Sequence, residues 1–84
     1  MFYNYIILSE STNKVYIGQT ADLAKRIQRH NTGGSKYTKN KGPWNLLYSF
    51  QFKTRSEAVL LEKKLKAFKN SKKVLTWAKS NTET

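Results

Sequence analysis

Five side chains of this sequence carry the chemistry it could do: the phenols of Tyr5 and Tyr16, the guanidinium of Arg26, the imidazole of His30 and the carboxylate of Glu62. Phenols and an imidazole exchange protons, and a guanidinium holds anions. A carboxylate at the margin of an apolar stripe needs a cation, either a lysine or a metal ion. Three of the five lie in one stretch, Val15 to His30, which reads as a strand, a turn at Thr20 and then a helix. On a helix of about 100° per residue, Leu23 and Ile27 form an apolar seam with His30 almost in line. Arg26 sits at the edge of that seam, four residues before His30, while Lys25 and Arg29 point away. Packing this helix on a sheet brings Arg26 and His30 near Tyr16. Each residue also has an ordinary reading. His30 suits a helix C-terminus or a core, the tyrosines suit strands, Arg26 suits a surface stem, and Glu62 suits an i, i+4 pair with Lys66. Their convergence is what points to a site, with Tyr5, Tyr16, the Arg26/His30 edge of the helix and Glu62 expected on one face of the sheet.

The elements that must position them follow from periodicity. Phe2 to Leu8 is aromatic and β-branched, hence a strand with Tyr3, Tyr5 and Ile7 on one face and Phe2, Ile6 and Leu8 on the other. Ser9 to Asn13 turns the chain, and Lys14 to Gln19 returns antiparallel. If Ser9 pairs with Lys14, Tyr5 faces Gly18 and shares a face with Tyr16, whereas a slip of one residue parts the tyrosines. Gly18 then leaves room for a ligand beside the two phenols. Thr20 is the expected N-cap of the first helix, with Asp22 in its first turn. Asn31 to Ser35 stops that helix. A third strand, Trp44 to Lys53, should place Trp44, Leu46, Tyr48, Phe50 and Phe52 on one face. Thr54 to Glu57 reads as a capping box opening a second helix, with Ala58, Leu61, Leu65 and Phe68 buried and Lys63, Lys64 and Lys66 facing away. Ser71 should cap a short third helix ending near Trp77 and Ala78, with residues 79–84 frayed. The expected fold is α+β: one domain over residues 1–84, a small three-stranded antiparallel sheet flanked by helices.

Composition narrows the partners. Sixteen Lys and Arg against five Asp and Glu give a net charge of +11, which favours a polyanion, most simply nucleic acid. With no cysteine and one histidine, disulfides, thiolate sites and poly-histidine zinc centres are excluded. No run approaches the ~18 apolar residues of a membrane span, and Met1 leads into a strand, so a cytoplasmic protein is expected.

With these residues in view, a family resemblance emerges. Tyr16, Ile17 and Gly18, following the strand tyrosine Tyr5, resemble the second half of the GIY-YIG nuclease signature. The spacing onward to Arg26, His30 and Glu62 is similar too. The segments from Ser35 to Thr38, Gly42 to Trp44 and Ser56 to Leu65 resemble small stand-alone bacterial members. The resemblance covers Phe2 to Lys69. The chain departs from the pattern where Tyr3 and Asn4 stand in place of the first Gly-Ile, and where Gln19 stands in place of a lysine found in some relatives. Asn70 is the nearest counterpart of a late asparagine, at a shorter spacing. The resemblance implies a metal-dependent endonuclease hydrolysing DNA phosphodiester bonds in repair or processing, with Mg2+ or Mn2+. Glu62 would then hold the metal, Arg26 would clamp phosphoryl oxygens, Tyr5 or Tyr16 would orient or deprotonate water, and His30 would relay a proton or hold a tyrosine. A phenol acts as base only if its pKa is lowered.

Lys36, Tyr37, Lys39 and Lys41, with Trp44 beside them, offer phosphate contacts and stacking. They would serve equally in a non-catalytic nucleic-acid-binding module that needs neither Glu62 nor metal. A third reading is an interaction subunit for an acidic protein.

Overall fold

The aromatic and β-branched residues of the first two strands form a hairpin, β1 (Phe2–Ser9) and β2 (Val15–Thr20). Its register is the one that keeps the tyrosines together: Tyr5 pairs with Gly18, Ile7 with Tyr16 and Leu8 with Val15, and the Ser9 N–H donates to the Lys14 carbonyl (2.9 Å). Asn13 takes the left-handed conformation (φ 59°) that asparagine tolerates in a tight turn. The chain continues as α1 (Leu23–Asn31), β3 (Trp44–Phe52), α2 (Arg55–Ala67) and α3 (Ser71–Thr82). The computed structural model describes residues 1–34 and 36–82; α1 ends at Asn31 with Thr32 as its C-cap, inside the expected Asn31–Ser35 stop, of which Ser35 lies outside the described residues. The strand order is β2-β1-β3, all antiparallel, an α+β fold with β2 and β3 as edges.

Helices cover both faces. On one, Tyr5, Ile7 and Trp44 pack with Tyr16 and with Leu23 and Ile27 of α1. On the other, Ile6 and Ile17 pack with Leu65 of α2 and with Val74 and Ala78 of α3, flanked by Tyr48, Phe50 and Leu61. Asn4, in place of the signature's isoleucine, is buried on this second face. Its Nδ2 donates to the Ala58 carbonyl (3.4 Å), and its Oδ1 has no partner.

The third strand departs from simple alternation. Ile6 pairs with Tyr48 but Ile7 pairs with Leu46, so Leu47 is an extra residue, a bulge. It shifts the parity. Tyr48 and Phe50 stay on the α2/α3 face, whereas Trp44 crosses to the α1 face with Tyr5. The expectation of one continuous face from Trp44 to Phe52 therefore fails at Leu47.

Helix starts differ by a residue or two from those expected. Thr20 stays in the β2 ladder opposite Tyr3. Asp22 is therefore the cap of α1, accepting from the Lys25 N–H (3.1 Å). The Thr54–Glu57 capping box opens α2 as expected. For α3 the cap is Asn70, not Ser71, because its Oδ1 accepts from the Lys73 N–H (3.2 Å). That helix runs to Thr82, past the expected end at Ala78. Trp77 packs edge-on against Phe50, and Asn81 and Thr82 bond back to the carbonyls of Trp77 and Ala78. Residues 83 and 84 lie outside the described residues.

Candidate active site

The site gathers on the α1 face, at the β2 edge. Tyr5 is fully buried, and its phenol lies over Gly18, in the space a side chain there would need. The room expected for a ligand above Gly18 is thus filled by Tyr5 itself. Its Oη is 2.8 Å from His30 Nε2, and His30 Nδ1 is 2.8 Å from Thr38 Oγ1. Burial pushes the Tyr5 phenol up to about 12, reinforced by the charges of Tyr16 and Glu62 and opposed by Arg26. Burial also lowers His30 below its ordinary 6.5, helped by the charges of Arg26 and Arg29. With the phenol protonated and the imidazole neutral, Tyr5, His30 and Thr38 form one hydrogen-bonded chain whose direction the imidazole tautomer sets.

The imidazole ring lies 5.0 Å from Tyr16 and 6.4 Å from Trp44, centroid to centroid, and the two phenol rings are 6.4 Å apart. Arg26 is half-buried, and its guanidinium acts on both Tyr5 and His30. Lys25 is exposed, and Arg29 turns outward to donate from Nε to the Gly34 carbonyl (3.0 Å).

Glu62 arrives from the other side. Its helix packs on the face opposite the tyrosines, so the expectation that it shares their sheet face is not met. It reaches the site around the outer strand, because Lys66, one turn on, carries its ammonium to 5.9 Å from the Tyr16 ring. The same ammonium is 3.0 Å from Glu62 Oε2, and the Glu62 side chain is 20% exposed. Lys66 therefore does not simply face away.

Among the described residues there is no group of three or more His, Cys, Asp or Glu side chains suited to a metal. A single carboxylate is a hard oxygen donor. That fits a cation which keeps most of its coordination as water and phosphate, as magnesium does.

The loop after α1 presents Lys36, Tyr37, Lys39 and Lys41 to solvent, with Tyr37 74% exposed. Trp44 is not available for stacking. It is buried, its Nε1–H donates to the Thr38 carbonyl (3.1 Å), and Asn31 grips its backbone through Nδ2 to its carbonyl (3.1 Å) and Oδ1 from its N–H (2.6 Å). Thr38 and Asn31 are the residues that sequence reasoning missed. The available signal was a buried histidine needing a partner for its second nitrogen, with a threonine set between the lysines of the loop.

The imidazole supports a prediction in acid. Folded His30 gains a proton at lower pH than unfolded His30, so the unfolded state binds more protons once the pH falls below about 6.5. Stability should be level above that value and decline as pH falls from it toward the lower folded value. Thermal melts at pH 7.5 and 5.5 check this, and His30→Gln should flatten the difference. Tyr5 acts at the other end, where stability declines as pH rises from 10 toward about 12.

The chain is thus a small α+β domain with paired tyrosines in its hairpin, an arginine and a histidine on α1 and a glutamate on α2. The family model for the GIY-YIG catalytic domain matches residues 1–74. A UPF0213 protein of Staphylococcus saprophyticus is 41% identical over 73 residues, 86% of this chain and 88% of the relative. One from Haloquadratum walsbyi is 37% identical over 84% of this chain and 82% of the relative. The solution NMR structure of the UPF0213 protein BH0048 from Bacillus halodurans, 35% identical, covers 87% of this chain and 79% of its own with a TM-score of 0.54. The chain belongs to the GIY-YIG family, and within it groups with the UPF0213 proteins. The domain is that of a nuclease family whose members generally use divalent metals, with DNA as the implied substrate. No helix among the described residues is long and apolar enough to cross a membrane.

Proposed function

We propose that the protein is a divalent-metal-dependent endonuclease that hydrolyses DNA phosphodiester bonds, in repair or processing, with little sequence selectivity. The observation carrying this reading is the convergence at the β2 edge of the Tyr5–His30 pair, Tyr16, Arg26 and Glu62. Glu62 would hold Mg2+ or Mn2+ through oxygen, and a cation held there would supply positive charge beside the phosphoryl group and a more acidic water. Arg26 clamps the phosphoryl oxygens with its planar fork. Tyr16, half-buried and next to Lys66, orients the attacking water through its Oη. Tyr5 keeps its own proton and so is not the base; its phenol fixes the face of His30 that Tyr16 packs on. Lys36, Tyr37, Lys39 and Lys41 hold the DNA backbone.

The Glu62–Lys66 pair favours a second reading, a binding module without catalysis, because it satisfies the carboxylate without metal. Incubation with a panel of duplex, branched and single-stranded DNA, with and without Mg2+ or Mn2+, separates the two. Divalent-dependent nicking is expected. Binding without nicking on every substrate would leave the module. Binding itself should weaken with salt at about −0.9 in log–log slope per phosphate contacted.

A further inference from the structure

A pocket of about 280 Å³ opens beside Tyr16, on the side away from α1. Val15, Ile17, Leu65 and Val74 form its apolar floor, and Lys66, Lys69, Asn70 and Ser71 stand at its rim with Tyr16. No carboxylate lines it. Among the described residues, Lys66 is the only lysine or arginine paired with a carboxylate, and Lys69, Lys72 and Lys73 beside it carry their charge uncompensated.

Lys69 adds an independent observation. Helix α2 closes with the N–H groups of Phe68 and Lys69 bonded to the carbonyls of Leu65 (3.2 Å) and Lys66 (3.3 Å). Lys69, the next residue after the C-cap Phe68, has φ 52°. This is the left-handed position that glycine takes freely and a side chain enters only at a cost. The chain keeps a lysine where the backbone favours glycine. A strained backbone position at a basic rim is the pattern of a residue held for its side chain.

We infer that this pocket is a second phosphate subsite, in which Lys69, with Lys66, binds a backbone phosphodiester next to the one presented to Tyr16. The inference rests on the nuclease reading and extends it. The DNA would then lie across the β2 edge, held on one side by the Lys36–Lys41 loop and on the other by the α2–α3 junction. The two grips bracket Tyr16, which would place the reacting phosphate between two contacts.

The test is equilibrium binding of a fluorescent duplex against salt, without divalent metal, for wild type, Lys69→Gly and Lys69→Arg, each with a thermal melt. Lys69→Gly relieves the backbone and removes the charge. It should melt at or above wild type and bind with a log–log salt slope shallower by about 0.9. Lys69→Arg keeps the charge and should bind with the wild-type slope. An unchanged slope in Lys69→Gly overturns the subsite and leaves the nuclease reading standing. A slope lost equally in Lys69→Arg assigns the effect to the turn and overturns it too. Wild type that binds no DNA overturns both.

Discussion

Glu62→Gln should reduce divalent-dependent cleavage by several orders of magnitude while leaving DNA binding unchanged or tighter. The substitution keeps the shape of the side chain and removes its charge, so a hard cation held by Glu62, as proposed, would lose its carboxylate ligand. Removing a negative charge from a surface of net charge +11 lessens repulsion toward phosphate. The cost in stability should be small. The pair with Lys66 joins neighbouring turns of one helix and the Lys66 side chain is 53% exposed, so it contributes at most a few tenths of a kcal/mol. Nicking, equilibrium binding and a thermal melt on the same preparations check all three statements. A folded Glu62→Gln protein that cleaves like wild type would remove the metal site from this carboxylate.

Gly18→Ala should be the most crowded of the four possible glycine-to-alanine changes. A Cβ at residue 18 would meet the hydroxyl and ring of Tyr5, which is fully buried and has nowhere to retreat. Overpacking of this kind costs about 1–3 kcal/mol. Here it also pulls the phenol from His30 Nε2 and so disturbs the rank of side chains behind Tyr16. Lower melting temperature and strongly reduced cleavage are expected together. Tyr5→Phe removes the hydroxyl, so the same alanine should cost less in that background, and the double-mutant cycle measures the difference. An alanine variant as stable and as active as wild type would show that Tyr5 does not occupy this space.

Much of this arrangement is legible in the residues, for reasons that differ by element. Hairpin parity is a two-valued choice, and the short turn between Ser9 and Lys14 decides it, which is why Tyr5 and Tyr16 can be placed on one face. The stripe of Ala58, Leu61, Leu65 and Phe68 orients α2 and leaves Glu62 at its margin. The bulge is a different matter. Leu47 in an otherwise alternating strand reads as a blemish, and only the partner strand reveals that it reverses the parity of everything before it. Alternation alone therefore places Trp44 with Tyr48 and Phe50 and leaves it free to stack, whereas it is the buried wall behind His30. Thr38 escaped because a loop threonine has no periodicity to betray its burial. Caps slipped by a residue or two where neighbours such as Asn70 and Ser71, or Thr20 and Asp22, are both competent.

The site draws on two cores that do not touch except through the sheet. Arg26 and His30 ride on a helix seated on Tyr5, Ile7 and Trp44, a smaller foundation than the one beneath α2 and α3. Lifting α1 alone would carry Arg26 and His30 away from Tyr16 and leave the sheet, Glu62 and most of the helical content in place. The working lifetime of the proposed site would be set by its lesser core, so loss of cleavage on heating should run ahead of the loss of secondary structure.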